Sequence, residues 1–284
     1  MAIDMGLDDP EAMKTLTWAV RIIDETVDRL RDEIGSTGPS DDSEVYRLAR
    51  ALPPGQMSLD RSIFAAADAA RGALDQIRDI LRNNIPTSPI VLQALLRSAL
   101  VGSGRITFAL FPADPSTRLQ NARSLVAQES NSFMRALDAY AKFKQLLGAR
   151  PDDHYRASAQ QQNDELLKGG KPFGDGAVLT GAAEVIGAAL AAAPEYSDEN
   201  KQILREHVIW LWNTYSGAAH TYAWPRLLPR SGQDRRVPGD FPGDFFMVTV
   251  TAHVAMLSLQ SRLQPGSANT TAPVPLWSEP TESP

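Results

Sequence analysis

The chain has no cysteine. This excludes disulfides, thiolate metal sites and cysteine nucleophiles, and it is compatible with a reducing compartment. Histidine is scarce, with four in 284 residues, and lysine numbers six against a lysine and arginine total of 28. The histidines carry no H-E-x-x-H spacing, so the expected metal and cofactor content is none. No G-x-S-x-G elbow is present, and Ser216 falls within a helical pattern instead of on a sharp turn. The glycine-rich run GGKPFGDG lacks the order of a phosphate-binding loop and follows no strand pattern. The opening MAIDMGLDDPEAM has acids where a signal peptide needs bases, which leads to a cytoplasmic expectation. Residues 177–193 are too short and alanine-rich to read as a membrane span, so no membrane association is expected.

What is present is apolar and helical. Hydrophobic residues make up 43% of the chain, enough for a substantial core. The net charge of −6 is uneven: residues 1–44 hold twelve acids and four bases, which leaves the remainder at +2. No global attraction for nucleic acid follows from that balance. The fold class predicted is all-α, a multi-helix bundle with long helices. An acidic helical segment (1–57) should pack on a main bundle (58–263), followed by a flexible, disordered Pro/Ser/Thr-rich tail (264–284).

Along the chain, Met13, Leu16, Val20, Ile23, Val27, Leu30 and Ile34 recur at spacings of three and four. That seam serves a bundle helix or a homodimer contact through residues 10–34. Ser58, Ser88–Pro89 and Asp114–Pro115 mark helix starts, whereas Pro53-Pro54-Gly55 and Asn83-Asn84 mark stops. The helix after Ser88 is apolar nearly all round and should be central, with Gly102 and Gly104 allowing close approach of neighbours. The next helix should turn Leu119, Val126, Phe133, Leu137 and Tyr140 inward, and residues 154–168 read as a polar surface helix. Residues 248–251 are β-branched enough for a strand but have no partner, so a buried helix is predicted there.

The densest stretch is Ile203 to Trp224, ILREHVIWLWNTYSGAAHTYAW, which reads as the organising helix of the chain. Leu204, Val208, Leu211, Tyr215, Ala218 and Tyr222 form its apolar seam, and Glu206, Asn213, Ser216 and His220 line a second face. His220, Ser216 and Asn213 are the candidate catalytic residues. Arg97, Arg105, Arg226, Arg230, Arg235 and Arg236 are the candidate ligand-binding residues, suited to a phosphate-containing ligand or RNA. The plainer alternative is a structural polar pair between His220 and Glu184, the sole charge in a small-residue helix, or an outward-facing Glu184.

Two blocks, LLRSALVGSGRITFALFPADPSTRLQNA (95–122) and WNTYSGAAHTYAW (212–224), resemble an uncharacterised all-helical family of high-GC Gram-positive bacteria and phages. That family is distantly similar to the HEPN-like superfamily, which contains metal-independent RNases of toxin and antiphage systems and inactive binding members. The resemblance implies a HEPN-like core, with His220 at the family's histidine. Active members place an arginine a short spacer before the histidine, whereas this chain has Asn213, Thr214 and Tyr215 there. The expected function is therefore non-enzymatic binding or assembly with a protein or phosphate-containing partner; the alternative is a divergent RNase that recruits Arg226 or Arg97 through space.

Overall fold

The computed structural model describes residues 10–25, 40–142, 152–191, 198–219 and 241–266. Nine helices account for most of them: α1 (Pro10–Ile23), α2 (Glu44–Arg50), α3 (Leu59–Arg82), α4 (Pro89–Leu110), α5 (Pro115–Tyr140), α6 (Asp153–Gly169), α7 (Asp175–Ala191), α8 (Asp198–Ala219) and α9 (Phe241–Leu263). No strand occurs among the described residues, and one isolated bridge joins Ser43 to Pro265. The fold is an all-α multi-helix bundle, and residues 248–251 lie inside α9.

Helix boundaries follow local chemistry. Asp114 accepts the Thr117 N–H at 2.8 Å, and Asp152 accepts the Tyr155 N–H at 2.6 Å; each satisfies a donor that the first helical turn leaves unpaired. Ser58 and Ser88 stand at N-cap positions with extended backbone but make no side-chain cap bond. For α4 the proline at the first helical position supplies the start, since it needs no N–H partner and its φ is already helical.

The centre of the bundle is α4, which touches α3, α5, α7, α8 and α9. The expectation that Ile203–Trp224 would organise the chain is corrected by this arrangement. A helix apolar on every side must be covered on every side, and α4 is that helix. Two glycines set the distances around it. A Cβ on Gly102 would lie 2.3 Å from the Ala66 carbonyl oxygen, and one on Gly104 would lie 2.3 Å from Leu179 Cδ2. Backbone-to-backbone approach of α3 and α4 therefore depends on Gly102 having no side chain.

Two apolar cores share α4, α3 and α9. The first gathers Leu16 and Ile23 of α1, Leu74 and Ile77 of α3, Leu96 and Leu100 of α4, and Phe245 and Val248 of α9, together with α7 and α8 residues. The second gathers Val45 and Leu48 of α2, Ile63 of α3, Ile106 of α4, Val126 of α5 and Leu259 of α9. The length and apolarity of α9 would suffice to cross a membrane, yet most of its apolar window is buried inside the bundle.

Several expected faces shift. In α1 the buried residues are Leu16, Ala19, Ile22 and Ile23, whereas Met13 is 40% exposed. The helix lies on α9 and α3 with a face of period 3.6, and Trp18 packs on Phe246 at 4.8 Å between ring centroids. The seam residues from Val27 to Ile34 lie outside the described residues. Tyr140, expected inward, is exposed at the last turn of α5. The polar helix α6 is anchored more deeply than its composition suggests, because Gln162 and Asn163 are buried. Gln162 accepts the Met57 N–H at 3.0 Å and donates to Met57 O at 2.6 Å and Pro53 O at 3.1 Å. It thus clamps the Pro53-Pro54-Gly55 turn, whose own backbone hydrogen-bonding groups no helix satisfies.

Candidate functional site

The apolar seam of α8 is buried at Leu204, Val208, Leu211 and Tyr215 and faces the core. On the second face Glu206 and Asn213 are exposed, and Glu206 accepts from Gln202 at 2.6 Å. Ser216 is half-buried because α4 meets it: Arg97 Nε donates to Ser216 Oγ at 3.4 Å, a weak bond, and the guanidinium carbon sits 4.9 Å from the Trp212 ring centre. The cation over the indole face is the stronger of the two contacts, worth ~0.5–2 kcal/mol at a part-desolvated position. Trp212 is itself held at its edge, since a Cβ on Gly176 would lie 3.2 Å from its Nε1. The structure thus brings Arg97 and Ser216 together, two residues 119 positions apart.

Arg97 also lines an open groove of about 310 Å³ between α3 and α4, with Arg105 and Glu129 toward its other end. The two arginines differ in charge environment. Arg105 pairs with Glu129 and, at 3.0 Å, with Asp175, whose same oxygen accepts from Gln128 at 3.1 Å. Among the described residues Arg97 pairs with no carboxylate.

Glu184 side chain is 53% exposed and pairs with Arg205 at 3.0 Å, so it is an outward-facing residue tying α7 to α8. A helix rich in alanine leaves its one carboxylate on the solvent side because burying it unpaired would be costly. His220, Arg226, Arg230, Arg235 and Arg236 lie outside the described residues. No group of three or more His, Asp and Glu side chains among the described residues is arranged to hold a metal ion.

Two polar clusters escaped sequence reasoning. In the first, Asp244 at the first turn of α9 is buried; its Oδ2 accepts the Tyr215 hydroxyl at 2.7 Å, and its Oδ1 lies 3.1 Å from His207 Nε2. Burial, then the neighbouring carboxylate, pushes the Tyr215 phenol well above its ordinary range, so it stays a donor. His207 and Tyr215 are two turns apart on one face of α8, and a single carboxylate spans them. The second cluster is fully internal: Arg118 and Arg262 are 0% exposed and share Glu44, which is 3% exposed. Arg118 Nε donates to Glu44 Oε1 at 2.8 Å, and Arg262 Nη1 lies 3.0 Å from Oε2. Both arginines also donate to carbonyls at and just beyond the C-terminal end of α4. Arg118 donates to Pro112 O at 2.5 Å and Ala113 O at 2.7 Å, while Arg262 Nε donates to Leu110 O at 3.2 Å. A helix C-terminus is the negative end of the backbone dipole, so these carbonyls suit cations.

No family model matches the sequence, and no curated protein or solved structure matches it.

Proposed function

We propose that this protein is a non-enzymatic helical binding protein that takes an anionic group of its partner at Arg97. One observation carries the reading: among the described residues the Arg97 guanidinium is without a carboxylate and is stacked on Trp212, and Arg97 is one of the residues lining the groove between α3 and α4. The buried Arg118 and Arg262 and the mostly buried Arg105, by contrast, are each paired with a carboxylate. A preorganised guanidinium supplies forked donors that match phosphate or carboxylate oxygens. Trp212 provides the assay, because an anion drawing Arg97 off the indole face changes its emission. Titration of inorganic phosphate and of a short RNA should change tryptophan fluorescence in the wild type and not in Arg97→Gln. Equal responses from both proteins, with Arg97→Gln folded, would refute the reading.

The second reading is a divergent HEPN-like metal-independent RNase. Its support is that Arg97 reaches Ser216, four residues before His220 in sequence, so an arginine from another helix approaches the segment that lacks a local one. Cleavage of RNA in the presence of EDTA, abolished by both His220→Ala and Arg97→Ala in folded proteins, would establish that reading and displace the non-enzymatic one.

A further inference from the structure

The outward face of the α3–α4 hairpin repeats at helical spacing on both helices. Ala65, Ala69, Gly72 and Gln76 of α3 stand at intervals of four, three and four and are exposed, and a Cβ on Gly72 would meet nothing within 4 Å. On α4, exposed Val91, Ala94 and Ser98 continue at intervals of three and four into half-buried Val101. Two such stripes side by side leave a furrow that suits a third helix, whose own side chains recur with the same period. The groove of about 310 Å³, with Ser62, Ala65, Ala69, Ser98 and Val101 in its lining, forms one end of that furrow. Its small side chains let a foreign backbone come close. The other end, at the hairpin tip, is apolar: Ile85, Ile90 and Val91 are 44%, 45% and 47% exposed. They are three of the seven large apolar side chains exposed among the described residues.

Charge along the furrow selects the occupant. On α3, Arg71 pairs with Asp68 and Asp75, and at the groove end Arg105 pairs with Glu129 and Asp175. Of these three arginines Arg97 is the one without a carboxylate among the described residues. It stands seven residues beyond Ile90, two turns along the same side of α4, or ~10.5 Å at 1.5 Å per residue. We infer that this face docks an amphipathic helix of a partner protein, whose apolar residues cover the hairpin tip and enter the groove beside Val101, and whose carboxylate meets Arg97. The inference rests on Arg97 being the anion anchor and adds the partner's fold and its apolar contacts. A polyanion gains little more than a single carboxylate does, because Arg71 and Arg105 are already paired. A single-stranded RNA would place a phosphate on Arg97, but the tip offers it aliphatic side chains where bases need an aromatic platform.

The test titrates the full chain with a capped, alanine-based helical peptide of about 19 residues, read by calorimetry. The peptide carries glutamine on its far face, one central glutamate, and a leucine two turns to either side, so both docking directions present the same groups. Two control peptides replace the glutamate by glutamine or both leucines by alanine. The glutamate should add about tenfold in affinity, the weight of one charge-assisted hydrogen bond. Each leucine should add about fourfold or more, the weight of one buried methylene. Arg97→Gln should erase the preference for glutamate and keep that for leucine. The double variant Ile90→Ser, Val91→Ser, at exposed positions, should weaken the glutamate and glutamine peptides alike. Equal binding of the three peptides by wild type, or no binding, would overturn the inference without relying on any variant. So would a double variant, folded by circular dichroism, that binds the leucine peptides as wild type does. A short single-stranded RNA that binds through Arg97 when no peptide does would overturn it in favour of nucleic acid. If inorganic phosphate binds through Arg97 while the peptides are not discriminated, the anion anchor stands and the helix is refuted. If neither phosphate nor peptide binds, both fail.

Discussion

Replacing Glu44 by glutamine should destabilise the protein by about 3–5 kcal/mol, far more than the isosteric change suggests. The magnitude follows from what remains. Arg118 and Arg262 are both fully buried, and Glu44 bonds the two of them with one carboxylate. Burial lowers the affinity of the Arg262 guanidinium for its proton, and the adjacent Arg118 lowers it further, while Glu44 opposes both. Without that charge the carbonyls of Leu110, Pro112 and Ala113 still accept hydrogen bonds but offer only partial charges to two cations. Urea unfolding should show a lower midpoint with an unchanged slope, and the thermal midpoint should fall by roughly 10 °C, at ~2–4 °C per kcal/mol for a chain somewhat below this size. The decisive comparison is Glu44→Leu, Arg118→Met, Arg262→Leu combined. A buried ion cluster replaced as a whole by apolar groups is about neutral or stabilising, so the triple variant should exceed the single in stability. A loss below about 1 kcal/mol for Glu44→Gln, or a triple variant as damaged as the single one, would refute the electrostatic account.

Three glycines test the packing around α4. Gly102→Ala should cost about 2 kcal/mol, because the new methyl meets the Ala66 backbone oxygen, which cannot yield without moving α3. Gly104→Ala meets the mobile end of Leu179 and should cost less, and Gly72→Ala, with nothing within 4 Å, should stabilise by about 0.5–1 kcal/mol through helix propensity. All three are read from urea midpoints, and equal effects at Gly102 and Gly72 would refute the close-approach argument. His253 supplies a pH test. Burial lowers its pKa from 6.5 to about 4 against the opposing pull of Glu25. The unfolded chain then binds more protons than the folded one, so the contribution is complete above pH 6.5 and is lost as pH falls toward 4. It should amount to roughly 2 kcal/mol once the ring's partial exposure is allowed for. An NMR titration midpoint of the His253 ring near 6.5, or no flattening of this pH dependence in His253→Gln, would refute it. Tyr215→Phe should cost about 1–3 kcal/mol by leaving one buried Asp244 oxygen without its hydroxyl donor, and a neutral effect in urea would mean that water replaces it.

How far the fold could be read from the chain depended on how local the cause was. Pro89, Asp114 and Pro115 act within one helical turn, so their helix starts were legible. The centrality of α4 was legible too, because an apolar circumference admits one environment. Face assignments were less secure wherever a helix touches neighbours on two sides. Met13 satisfies the heptad spacing as well as Leu16 does, yet α1 rests on α9 through Leu16, Ala19 and Ile23, and nothing in a single periodicity distinguishes the two rotations. Gln162 was hidden for the opposite reason. A polar side chain on a polar helix gives no signal of burial, although the turn it clamps, with prolines that lack N–H groups, was visible as a segment needing partners.

The candidate site shows the same division. The α8 polar face could be drawn from spacing, but its meeting with Arg97 requires the crossing of α4 and α8, which no local pattern encodes. Buried ion clusters did leave a signal. Arg118 stands four and eight residues before Ala122 and Val126, both fully buried, and Arg262 sits beside Leu259 and Leu263 in an otherwise apolar run. A cation in a core-facing stripe must be charged and paired, so the question such a stripe poses is where its carboxylate lies. Asp244 poses the same question as the lone acid of α9, and its answer, Tyr215 and His207, comes from one face of α8. Arg97 differs from these residues in one respect. It occupies a half-open position at the edge of a groove, where a guanidinium can wait for an anion because water and the Trp212 face stabilise it meanwhile. Among the described residues, that contrast between carboxylate-paired internal cations and a peripheral one stacked on an indole is the physical reason for the proposal that recognition takes place at Arg97.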